Sequence, residues 1–199
     1  MPKTGKVKKG YAISIENVAP FLWYRVGISD KSELGIRVGL PIYGSGVDYS
    51  RVLYKKKNKW DMLNLAWSLN PNYNLDATYY KFKTKKTDTD FLKSRWLGFR
   101  MMSIQKGITG GTSNRFGFLY GIQSSPRWGL EFGYFHDSSS IPITDIFSSK
   151  WDPFSSENHD RYSRKPTRDE SSGLPSEFSR MTGLSFSLFF DLDAPKKKK

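Results

Sequence analysis

From Tyr11 to Phe190 apolar side chains fall on every second position within short segments, and each segment is closed by Gly, Pro, Asn, Asp or Ser. This is the period-two signature of strands divided by turns. The clearest case is Glu33 to Leu40, with Leu34, Ile36, Val38 and Leu40 on one face and Glu33, Gly35, Arg37 and Gly39 on the other. Trp128 to Phe135 repeats it, setting Trp128, Leu130, Phe132 and Tyr134 against Gly129, Glu131, Gly133 and Phe135. Gly183 to Phe190, Arg115 to Ile122 and Asp61 to Leu69 read the same way. Weaker segments span 11–18, 21–28, 46–54, 75–83 and 92–103. The predicted fold is all-β, an antiparallel up-and-down barrel of about ten strands.

Alternation does not say which face turns inward, since a soluble barrel buries its apolar face and a membrane barrel exposes it. The polar face discriminates. It carries repeated glycine and charges of both signs, Glu16, Arg25, Glu33, Arg37, Asp48, Asp76, Arg100 and Glu131, which suit a confined interior better than a solvated sheet. The apolar face is therefore expected to meet lipid. Trp60 and Trp128 begin strands and Tyr54 ends one, where an interfacial aromatic girdle sits. The soluble alternative has these rings cap a core. Arg51 shares the face of Val47, Tyr49 and Leu53; facing lipid near midplane would cost it about 2 to 4 kcal/mol, so a bulge or an interfacial position is required there.

The connections test the same reading. An even strand number leaves both termini inside, with short internal turns and longer external loops. Counting from an internal N-terminus makes 29–32 and 124–127 internal turns and places 105–114 and the long 137–180 segment outside. Asn70 to Tyr73 is short for an external loop and Lys83 to Asp90 long for an internal turn. The organisation expected is a basic tail over 1–10, a barrel over 11–190 and a lysine-rich tail over 191–199.

No stretch approaches the roughly 18 consecutive apolar residues of a membrane helix. Aromatic residues make up 16% of the chain although mean hydropathy is −0.58, so large rings are interleaved with polar neighbours. The absence of cysteine fits passage through an oxidising compartment and removes thiolate chemistry. Met1 to Lys9 is basic, without the apolar stretch of a secretory signal, so a signal is expected to have been removed. The net charge of +13 concentrates in lysine runs at turns and tail. Outer-membrane lipid and lipopolysaccharide are the partners this charge suits; no nucleic-acid motif accompanies it.

Residues Gly27 to Gly35 and Gly121 to Glu131 resemble segments of small bacterial outer-membrane β-barrel proteins. The resemblance extends over roughly Tyr11 to Phe190. The last strand also resembles the assembly signal of that class through Gly183, Phe186 and Leu188, with Met181 in place of the usual polar residue. It implies outer-membrane localisation, insertion by the barrel-assembly machinery, and no cofactor. With Arg25, Arg37, Trp96, Arg100 and Phe135 projecting inward, the lumen is expected to be plugged, a narrow channel being the alternative.

No enzymatic role is expected, and one catalytic alternative stands beside that reading. His136 and Ser138 at the end of the ninth strand resemble the His-x-Ser motif of outer-membrane lipid A deacylases. The resemblance makes His136 the base, Ser138 the nucleophile, and Asp145 or Glu157 the orienting acid; Ser139 stands where that family has Asn. Asp88 and Asp90 together with His136 and Asp137 resemble the acidic and histidine pairs of outer-membrane proteases, yet the topology sets the two pairs at opposite ends. Two histidines and no cysteine give no expected metal site. The 137–180 segment suggests surface recognition.

Overall fold

The computed structural model describes residues 4–14, 20–39, 45–70, 73–86, 92–106, 113–137 and 183–193. Ten strands follow in order: β1 (Val7–Ser14), β2 (Phe21–Ser29), β3 (Ser32–Gly39), β4 (Ser45–Lys56), β5 (Lys59–Asn70), β6 (Tyr73–Lys86), β7 (Leu92–Lys106), β8 (Ser113–Gln123), β9 (Trp128–Asp137) and β10 (Gly183–Asp191). Each pairs antiparallel with its neighbours in sequence, and β1 pairs with β10 to close the barrel. Closure gives every strand two partners and leaves no edge unpaired.

The connections fall into two sets. Residues 30–31, 57–58, 87–91 and 124–127 lie between strands at the end where β1 begins and β10 finishes, here the turn end. Residues 15–20, 40–44, 71–72, 107–112 and 138–182 join strands at the opposite, loop end.

The first strand begins at Val7, four residues before the expected start, so the anticipated basic tail is shorter than ten residues. Lys8 and Lys9 pair with Arg25 and Tyr24; their charge had masked an alternation that Val7, Tyr11 and Ile13 carry on one side and Gly10 and Ala12 on the other. Similarly, β6 continues to Lys86, which absorbs half of the overlong turn expected after Lys83.

Strands in a closed barrel are tilted and staggered. One row of cross-strand partners shows this: from Lys8 it passes through Arg25, Gly35, Asp48, Ala66, Asp76, Met102 and Arg115 to Asp137, the last residue of β9. The row enters near the turn end and leaves at the loop end. The same slope accounts for Arg51. Its row includes Ser32, the first residue of β3, and climbs through Leu63, Tyr79 and Phe99 to Phe118. Arg51 therefore lies at the turn-end margin, next to an irregularity in the β4–β5 register between Val52 and Tyr54.

The two faces differ in kind. Large apolar side chains are exposed on every one of the ten strands, among them Ile13, Leu22, Ile36, Val47, Leu65, Leu75, Leu97, Phe118, Phe132 and Phe186. Phe118 is 66% exposed, whereas Leu119, the next residue, is 2% exposed. The buried set includes Glu33, Asp48, Ser50, Asn74, Asp76 and Thr78. The barrel is thus apolar outside and predominantly polar inside.

Candidate functional site

Two features of the described barrel carry chemistry, the charged interior and the surface that surrounds it. The interior begins with Arg25 on β2. Its guanidinium donates to Glu33 Oε1 at 2.8 Å and reaches Asp48 Oδ2 at 3.1 Å. Asp48 lies two strands away, and the residue between them is Gly35. A side chain at Gly35 would collide with the Asp48 carboxylate, so glycine is what lets the pair meet across β3. Asn64 donates to both Asp48 Oδ2 and Ser50 Oγ at 2.9 Å. These fork and amide contacts recover part of the cost of taking the carboxylates out of water.

Further round the wall, Arg37 donates to Ser68 Oγ at 3.2 Å, and Asn74 donates to Asp76 at 2.9 Å. Arg100 donates to Thr78 Oγ1 at 2.9 Å and to Tyr80 Oη at 3.1 Å, approaches Glu131 at 3.8 Å, and lies 5.7 Å from the Phe135 ring centroid. Trp96 Nε1 donates to the other Glu131 oxygen at 2.6 Å. Among the described residues, three buried atoms, Glu33 Oε2, Arg37 Nε and Asp48 Oδ1, have no hydrogen-bond partner. The structure therefore turns Arg25, Glu33, Arg37, Asp48, Asp76, Arg100 and Glu131 inward and surrounds them with neutral partners, Ser50, Asn64, Ser68, Thr78 and Tyr80. Those partners share strand parity with the charges beside them, a signal the charges alone overshadowed. Glu16 lies outside the described residues.

Toward the turn end the interior changes character. Trp60 stacks on Phe82 with centroids 3.9 Å apart, Phe82 meets Trp96 at 5.6 Å, and Trp96 meets Phe189 at 5.7 Å. Trp96 and Phe189 stand on β7 and β10, and the strands between them, β8 and β9, present Gly121 and Gly129 beneath the rings. A side chain at either glycine would strike Trp96 or Phe189 respectively. The girdle position expected for Trp60 is thereby corrected, since its ring belongs to this inner layer. Trp128 and Tyr54 are exposed on the outer surface.

His136 pairs with Phe116 in the β8–β9 register, is 1% exposed, and lies near the Phe116 and Tyr134 rings, with Tyr134 Oη 3.3 Å from its Nδ1. Ser138, Asp145 and Glu157 lie outside the described residues, as do Asp88 and Asp90. Among the described residues no group of metal-ligating side chains occurs and no helix is long and apolar enough to cross a membrane, which says nothing of strands. No family model, curated protein or solved structure matches the chain.

Proposed function

We propose that this protein is an integral barrel of a bacterial outer membrane, with a structural or surface-interaction role and an interior filled by its own side chains. One observation carries the proposal: exposed large apolar side chains occur on all ten strands while carboxylates are buried inside beside half-buried guanidinium groups. A soluble barrel has the opposite polarity, and exposed apolar patches beyond a few hundred Å² are rare on soluble monomers. Lipid around the whole circumference removes that surface from water. The even strand number and the distribution of connections favour a turn end in the periplasm and a loop end outside. Insertion would then require the barrel-assembly machinery, and lipopolysaccharide would border the loop end.

The interior supports a filled lumen over a narrow channel. Arg25 is paired with Glu33 and Asp48 across strands, Arg100 approaches Glu131, and the Trp60, Phe82, Trp96 and Phe189 layer reaches from β5 to β10. Tryptophan fluorescence in vesicles of acyl-chain-brominated phospholipid tests the orientation of the faces. Bromine quenches rings that touch the chains, so Trp67→Phe, on the exposed face, is expected to remove more of the quenching than Trp96→Phe, which is buried. The reverse order would place the apolar face away from lipid and overturn the proposal.

A further inference from the structure

The polarity of the wall reverses on one side of the barrel. Along most of β5, β6 and β7 apolar residues face out and polar residues face in. Nearer the turn end, past Tyr79 and Leu97, the outward positions become Lys81, Lys83 and Lys85 on β6, Arg95 and Lys93 on β7, and Lys59 on β5, all exposed. Their inward neighbours are the aromatic Trp60, Phe82 and Trp96. Register makes these cations a contiguous ladder: Lys59 opposes Lys83, Lys83 opposes Arg95, and Lys85 opposes Lys93. Like charges directly opposed on adjacent strands destabilise a sheet. Among the described residues none of the six is ion-paired; the nearby carboxylate, Asp61, lies opposite Lys81 and accepts a hydrogen bond from Tyr79 Oη at 2.7 Å.

We infer that this ladder is a binding shelf for the phosphates of anionic phospholipid in the periplasmic leaflet. The inference rests on the membrane reading above and deepens it. Successive outward positions on a strand are about 7 Å apart, so Arg95 lies one step beyond Leu97, and its partner Lys83 two steps beyond Tyr79, at the depth where headgroups begin. Because these residues project sideways from the wall, they meet a headgroup layer and not the aqueous space beneath the barrel. The turn end also points away from the leaflet that holds lipopolysaccharide, which selects phospholipid as the source of phosphate. The shelf is concentrated on one side: the corresponding turn-end outward positions on β2, β3, β8 and β9 are Ile28, Leu34, Ile122 and Trp128, while the neighbouring β4 extends it with Arg51 and with Lys56 opposite Lys59, and β1 adds Lys9. Strands β6 and β7, of 14 and 15 residues, run longer than the eight or nine of β1, β2, β3 and β10, and their extra length carries the cations. Discrete lipids held on one side are expected, not a uniform charged ring.

The test is native mass spectrometry of the refolded full chain in micelles carrying equal phosphatidylglycerol and phosphatidylcholine. Each basic residue near an anionic surface contributes about 1 kcal/mol, so the intact protein is expected to retain phosphatidylglycerol about tenfold or more over phosphatidylcholine, with a preference that falls as salt rises. The variant K83Q/K85Q/K93Q/R95Q is expected to lose that preference, while K196Q/K197Q/K198Q/K199Q, which removes the same charge from the tail, keeps it. Equal retention of the two lipids by the intact protein, or equal loss in both variants, overturns the shelf and leaves the barrel reading standing. A chain that folds in buffer without micelles overturns both. If the shelf variant does not fold, the salt response of the intact protein decides: a preference insensitive to salt overturns the shelf.

Discussion

Phe118→Arg is expected to lower the unfolding free energy of the vesicle-embedded barrel by about 2 to 4 kcal/mol, the cost of an arginine facing lipid near the bilayer midplane. Phe118 is the middle residue of β8, the most exposed of the large apolar side chains, and its cross-strand neighbours Phe99 and Tyr134 lie on the same outward face. Depth provides the control. Leu53 is also exposed but lies beyond Arg51 toward the turn end, where an arginine costs about 0 to 1 kcal/mol. Urea titration of both variants in the same vesicles is expected to show that difference. Equal small costs would mean that Phe118 faces water.

The second large effect concerns the interior. Arg25→Ala removes the guanidinium that meets both Glu33 and Asp48, whose side chains are each 3% exposed. Two carboxylates would then lie close together without their cation, and breaking a buried pair in this way costs about 3 to 5 kcal/mol. Part of the Arg25 side chain remains accessible, which places the expected loss toward the lower end of that range. Removing all three charges in R25M/E33Q/D48N is expected to recover most of it, because a neutral cluster has no charge to desolvate. A cost for Arg25→Ala below about 1 kcal/mol would mean that water reaches these carboxylates freely, and a water-filled lumen would replace the packed one. The same urea titration reads both outcomes.

How much of this was legible in the sequence depends on position along each strand. Where a strand keeps one polarity, as in Glu33 to Gly39, alternation alone separates Leu34, Ile36 and Val38 from Glu33, Gly35 and Arg37, and the structure places the two sets on opposite faces. Reading aromatic residues as outward fails where polarity reverses. Lys59-Trp60-Asp61 and Lys81-Phe82-Lys83 keep their period of two but exchange faces relative to the strand beyond, so Trp60 turns inward. The first strand was displaced for a related reason, since Lys8 and Lys9 resemble a tail until β2 supplies them with partners.

The pairing of interior charges was not legible at all. That Arg25 meets Asp48 depends on the stagger of three strands and on the space left by Gly35, neither of which a pattern along one segment contains. The glycines were visible as small residues on the polar face; their specific use, making room for Trp96 and Phe189 at Gly121 and Gly129, appears only once the strands are in register. The hydrolase alternative gained nothing from the fold. His136 is placed and buried, while the serine and acids proposed to complete it lie outside the described residues.

The central claim is that the apolar face of the barrel requires lipid. Its most direct test compares the full chain refolded into detergent micelles with the same chain in plain buffer, read by migration on a denaturing gel before and after boiling. The expected result is a compact form that appears only with detergent and shifts on boiling. A monodisperse folded protein in buffer without detergent would contradict the account, because the exposed residues from Ile13 to Phe186 would then have to be covered by something other than a membrane.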